Sequence, residues 1–205
     1  MSDEVLLDNE RVRVRRFVIA GGASVRRSSA DADHLWVIIK GGRLKSGATG
    51  RETLWREGRV IWCDGSLPLL EDAINSGASA LEIVAVHLKP LAPSASPDAR
   101  AAEYLNYPNI PGEDVLDNDR VIVQRFLVGA GEWEGVHAHQ PNTFYIHVQG
   151  GLWAVRSKDT PAQVYDHASA DGSVGWMPAI PISEEHQSGN AGVAPIDLIW
   201  VTLKG

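Results

Sequence analysis

The chain has 205 residues, 44% hydrophobic and 22% charged, a balance that supports a buried core and excludes disorder. Lys and Arg number 19 against 26 Asp and Glu, a net charge of −7 with no basic cluster, which argues against a nucleic-acid partner. The single cysteine, Cys63, excludes an intrachain disulfide and a Cys-rich zinc site and fits a reducing cytoplasm.

The acidic opening MSDEVLLDNE reads as neither a secretory nor a transit signal. No apolar run approaches the ~20 residues of a membrane helix, so no membrane association is expected. In chain order, RVRVRRFVI (11–19), HLWVIIKGG (34–42) and LEIVAVHLK (81–89) read as strands, β-branched and bounded by turn residues. A Pro-, Ala- and Ser-rich stretch follows over 90–112, with ARAAEYL as its one candidate helix within 97–105. Three further strands, RVIVQRFLV (120–128), TFYIHVQGG (143–151) and IDLIWVTLK (196–204), mirror the first three.

The mirroring is a duplication. LLDNERVRVRRF (6–17) returns as VLDNDRVIVQRF (115–126), and the same offset matches Gly22 with Gly131 and Gly41-Gly42 with Gly150-Gly151. Further on, Asn75 meets Asn190, Glu82 meets Asp197, and Leu88-Lys89 meets Leu203-Lys204. Two units of about 90 residues follow: an N-terminal unit over 1–92, a linker or wrapping segment over 93–112, and a C-terminal unit over 113–205. Short strands between Gly and Pro turns predict an all-β chain, each unit a double-sheet jelly roll or small barrel. Apolar faces on both units predict a homodimer.

The chemistry concentrates in the second copy. His137-Ala138-His139, if extended, places two imidazoles on one face about 6.6 Å apart along the chain, able to converge on one ion. The pair follows a Gly-rich turn from Gly131 and precedes a strand ending in Gly150; downstream stand Gly172, Pro178, His186 and Asn190. In these residues the chain resembles the cupin superfamily, and its two copies resemble a bicupin of two tandem double-stranded β-helix (jelly-roll) barrels. The resemblance implies a metal site of three histidines, His137, His139 and His186. The family's glutamate position falls at Thr143 or Phe144, neither a carboxylate, and its P-x-G motif reads Pro178-Ala179-Ile180.

Parity on the strand 143–149 puts Thr143, Tyr145, His147 and Gln149 on one face, expected to line the pocket. His147 lies about 13 Å along the strand from Thr143, too far to share the ion. Tyr145 is a candidate to hydrogen-bond a ligand. Glu184, beside His186, is a candidate second-sphere partner or general base. In the first copy Ser28, Ala30 and Glu71 stand opposite the three histidines, so that unit is expected to have lost the site and to pack its lumen with its own side chains. Arg16 and Arg125 repeat among valines and are expected to form structural ion pairs at a domain interface.

Two functional readings follow. One is a metalloenzyme with one divalent ion per chain, iron(II) or zinc first, manganese or nickel as alternatives, carrying out dioxygenation, isomerisation or hydrolysis of a small molecule. The other is a non-catalytic small-ligand-binding or structural cupin, with or without metal. Ligand histidines must be neutral, so metal affinity is expected to fall as pH drops through roughly 6.5.

Overall fold

The β-branched runs of both copies fold as strands, and among the described residues the one helical element is a 3-10 turn at Ile182–Glu184. The structure, a computed structural model, describes residues 2–25, 34–63, 72–90 and 102–205. The chain divides into two units, Met1–Pro90 and Leu91–Gly205.

The first unit comprises β1 (Ser2–Asp8), β2 (Val12–Ile19), β3 (Ser24–Val25), β4 (His34–Lys40), β5 (Gly42–Lys45), β6 (Glu52–Trp55), β7 (Val60–Cys63), β8 (Ala73–Asn75) and β9 (Leu81–Leu88). They form a five-stranded sheet in the order β1-β2-β9-β4-β7 and a four-stranded sheet β3-β8-β5-β6. The second unit comprises β10 (Glu113–Asp117), β11 (Val121–Val128), β12 (Thr143–Gln149), β13 (Trp153–Ser157), β14 (Thr160–Val164), β15 (Val174–Met177), β16 (Gln187–Asn190) and β17 (Ile196–Leu203). Its sheets run β10-β11-β17-β12-β15 and β14-β13-β16. All the pairings are antiparallel.

The duplication extends to individual hydrogen bonds. Asn9 Oδ1 accepts from the amides of Arg11 and Val12, and Asn118 Oδ1 from those of Arg120 and Val121. Asn75 Nδ2 donates to the carbonyls of Ile19 and Ser79; Asn190 Nδ2 donates to those of Val128 and Ala194. Even the irregularities match. Register breaks between Val5 and Leu7 and again between Asp114 and Leu116, then between Ile38 and Lys40 and between His147 and Gln149. Gly22 and Gly131 both take positive φ, +74° and +78°, where a β-carbon would be strained. Arg16 pairs with Glu82, and Arg125 binds Asp197 through two nitrogens, each within its own unit across neighbouring strands. Each arginine therefore ties together the sheet of its own unit, and not a domain interface.

The first unit's interior is packed by Phe17, Ile19, Trp36, Ile38, Leu81 and Ile83 among others, with Trp36 and Trp55 6.1 Å apart. Cys63 is buried there, as a small apolar side chain would be. The second unit's core includes Phe126, Val128, Trp153, Leu198 and Trp200, joined by Leu105, Tyr107 and Ile110. Those last three come from the stretch read as a linker, whose described part is wrapped into the second unit. Leu105 donates its amide to Gln124 Oε1 and accepts from Gln124 Nε2. No helix forms over 102–105; the rest of the expected helix lies outside the described residues. On the opposite sheet face, Phe144, Ile146 and Val148 are buried. Among the described residues, no helix is long and apolar enough to cross a membrane.

Candidate metal centre

The segment 133–139 is not a regular strand. It runs beside 180–189 through separate backbone contacts: Glu134 N to Ser188 O, His137 N to His186 O, and a two-way pair between His139 and Ile180. From His137 to His139 the run keeps the alternation that the sequence implies, with His137 and His139 buried and Ala138 exposed. The contact from His137 N to His186 O, 3.2 Å, brings two stretches nearly fifty residues apart into register. Ring centroids stand 4.6 Å apart for His137–His139, 5.0 Å for His137–His186 and 5.2 Å for His139–His186. One ring nitrogen from each lies within 4.8 Å of the others.

The chemistry of the set fits a cation. His137 Nδ1 donates to the carbonyl of Gly135 at 2.9 Å, which leaves Nε2 with a lone pair aimed inward. That Nε2 lies 2.9 Å from His139 Nε2, about the spacing of two donors on one ion whose bonds are near 2.0–2.1 Å. His139 Nδ1 has no hydrogen-bond partner. Burial pushes the His137 pKa down to about 4 and the His139 pKa down to about 3, and lowers that of His186. The rings are thus already in the neutral form that a metal requires. The loss of affinity expected near pH 6.5 moves to lower pH for that reason.

A buried carboxylate, which sequence reasoning missed, stands beside them. Glu134 is 1% exposed, and its Oε2 lies 3.8 Å from His137 Nε2. Burial pushes its pKa up to about 7, against the hydroxyls of Ser188 and Tyr107 that face the carboxylate. Tyr107 also sets its ring edge-on to His137 at 4.6 Å, and Ser188 Oγ lies 3.2 Å from His186 Nε2. Ser188 could have been found by strand parity with His186. Tyr107 was hidden in the supposed linker, and Glu134 in a loop where parity has no meaning.

His139, His186 and Glu134 open onto a cavity of about 90 Å³, walled by Tyr145, Trp153, Tyr165 and Trp200 among others. No lysine or arginine lines it among the described residues. Tyr145 is half-buried in this wall, its ring 5.0 Å from His147 and 6.1 Å from Trp200. Gly175 makes room for it: a β-carbon there would sit 2.3 Å from the phenol. His147 shares the wall, but both its nitrogens are used. Nε2 accepts from Trp153 Nε1 and Nδ1 donates to Ser173 Oγ, each at 2.9 Å.

The remaining expected site residues stand elsewhere. Thr143 lines a separate cavity of about 280 Å³ with His137, Trp200 and Tyr104, and its Oγ1 donates to the carbonyl of Gln140. Gln149 follows the register break in β12 and is exposed, so it does not line the pocket. Glu184 is exposed on the 3-10 turn, outside the cavity wall. Ser28, Ala30 and Glu71 of the first copy lie outside the described residues.

No protein-family model matches the sequence, and no curated protein does. Solved structures do. A cupin 2 conserved barrel domain protein from Leptotrichia buccalis matches with TM-score 0.55 at 10% identity, over 99% of this chain and 88% of that one. YhaK from Escherichia coli matches with TM-score 0.55 at 15% identity, over 95% and 86%. A variant of salicylate 1,2-dioxygenase from Pseudoaminobacter salicylatoxidans matches with TM-score 0.56 at 8% identity, over 93% and 70%. These likenesses establish the fold alone: the chain has an all-β fold of the cupin type.

Proposed function

We propose that the chain is a bicupin metalloenzyme whose second barrel holds one divalent ion on His137, His139 and His186 and acts on a small uncharged molecule. The observation that carries this reading is the donor set, three imidazoles with ring nitrogens within 4.8 Å of one another at the edge of a cavity. Three nitrogen donors with open positions suit iron(II) or zinc, with manganese or nickel as alternatives. When bound, the ion would supply Lewis-acid or oxygen-activating chemistry.

The chain's own residues orient and enclose. Gly135 fixes the tautomer of His137, while Trp200 packs 4.9 Å from His139 and helps exclude water. Tyr145 lines the cavity wall and is kept as a candidate to hydrogen-bond a ligand. No lysine or arginine lines the cavity among the described residues, which supports an uncharged substrate. A cavity of about 90 Å³ is smaller than the ~150 Å³ in which benzene binds. A ring-bearing substrate would therefore extend past Tyr165, which is half-exposed. The salicylate 1,2-dioxygenase shares the fold, so dioxygenation is the first reaction class to test, followed by isomerisation and hydrolysis.

The experiment is oxygen uptake and product mass spectrometry with iron(II)-loaded protein against a panel of small neutral phenols, enols and aliphatic alcohols, with the metal-loaded zinc form screened for isomerisation and hydrolysis. Turnover lost in His186→Ala is expected. Metal binding without turnover across the panel would favour the non-catalytic ligand-binding reading.

A further inference from the structure

Glu134 is unusual for a carboxylate. It is 1% exposed, its Oε2 has no hydrogen-bond partner, and no lysine or arginine lines the cavity it faces among the described residues. An isolated buried carboxylate is costly; such a group takes up a proton, pairs with a cation or sits beside a metal. Its placement is also built in. Its amide donates to Ser188 O at 2.9 Å and its carbonyl accepts from Asn109 N at 3.1 Å, so the backbone is held on both sides. Gly135, at φ +85°, then turns the chain so that its carbonyl meets His137 while the preceding side chain points inward.

We propose that Glu134 supplies the anionic group of the metal centre, its Oε2 accepting a hydrogen bond from the water or substrate hydroxyl on the open side of the three histidines. This rests on the metal-site reading above. Direct ligation fits less well. Neighbouring donors on one ion with bonds near 2.0–2.2 Å stand roughly 3 Å apart, whereas Oε2 is 3.8 Å from His137 Nε2, and the clustered donor set comprises the three histidines alone. One bridging hydroxyl fills that gap. The carboxylate missing at Thr143 and Phe144 is thereby replaced from the loop before the first histidine, in the run Glu134-Gly135-Val136-His137-Ala138-His139. Tyr107 and Ser188 face the carboxylate from the same cavity wall.

The test uses the full chain without a His-tag and two probes, zinc alone and cobalt(II) alone. Zinc affinity is measured by chelator competition in the unaltered protein, Glu134→Gln and His186→Ala; cobalt reports through its visible spectrum. Glu134→Gln keeps the shape but removes the charge, and zinc is expected to bind about 10–100-fold more weakly with an altered cobalt spectrum. The metal-free thermal midpoint is expected to stay level or rise, which a merely structural residue would not allow. Zinc binding within about threefold of the unaltered protein, with the same cobalt spectrum, overturns the proposal. If Glu134→Gln does not fold, Tyr107→Phe takes its place, removing a hydroxyl that faces the carboxylate, and must weaken zinc binding at least about threefold. An unaltered protein that binds no zinc or cobalt removes the metal-site reading and this proposal with it. Intact binding that is indifferent to Glu134 removes this proposal alone.

Discussion

His137 and His147 differ in what their second nitrogen does. His137 spends Nδ1 on Gly135 and turns Nε2 inward, whereas His147 spends both nitrogens on Trp153 and Ser173. Because the Trp153 indole can only donate, His147 Nε2 accepts and Nδ1 carries the proton. Burial lowers the His147 pKa to about 4, while an unfolded histidine titrates near 6.5. The sign follows: the folded pKa is depressed, so the stability contributed by the neutral ring is complete above about pH 6.5 and is lost as pH falls toward 4. At pH 5.5, ¹⁵N spectra of the metal-free protein are expected to show His147 neutral and protonated on Nδ1; a ring already charged there would contradict this. The sequence made the His137–His139 pair legible because alternation survives in any extended segment. It left Glu134 illegible, since nothing in a loop says which side chain turns inward.

Strands and turns carry the duplication. Matched asparagines, bulges and cross-strand arginine pairs recur where the backbone needs them, while the cavity-facing residues diverge. Asn75 and Asn190 each donate two hydrogen bonds to buried or part-buried carbonyls. Asn75→Ala and Asn190→Ala are each expected to cost about 1–3 kcal/mol through unpaired backbone groups, read by chemical denaturation; a loss below about 0.5 kcal/mol at either would deny the equivalence. Six of the seven described strands of seven or eight residues were readable from β-branched runs ending at Gly or charged residues; β1, polar and acidic at its start, was not. The segment 102–112 was not, because Pro and Asn mark irregular backbone but do not say whether it is solvated. Leu105 and Tyr107 alternate toward the core, a signal two residues long. The exposure of Gln149 was hidden for a related reason: a bulge shifts side-chain parity, and its position is fixed by the partner strand.

Across the whole chain, one fold is used twice with different interiors. Among the described residues, the core of the first unit includes Phe17, Trp36, Ile38 and their neighbours. The second leaves a cavity beside three histidines and a buried carboxylate. The sequence carried this asymmetry, since the first copy has no histidine opposite His137, His139 or His186. What it could not give is the distance between the rings, which depends on the backbone contact from His137 to His186. The most direct measurement is metal stoichiometry by elemental analysis after saturation with zinc and gel filtration. One ion per chain is expected, lost in His137→Ala and His186→Ala but retained in His147→Gln. Less than about a tenth of an ion per chain, or binding unchanged by His137→Ala, would contradict a metal centre in the second unit.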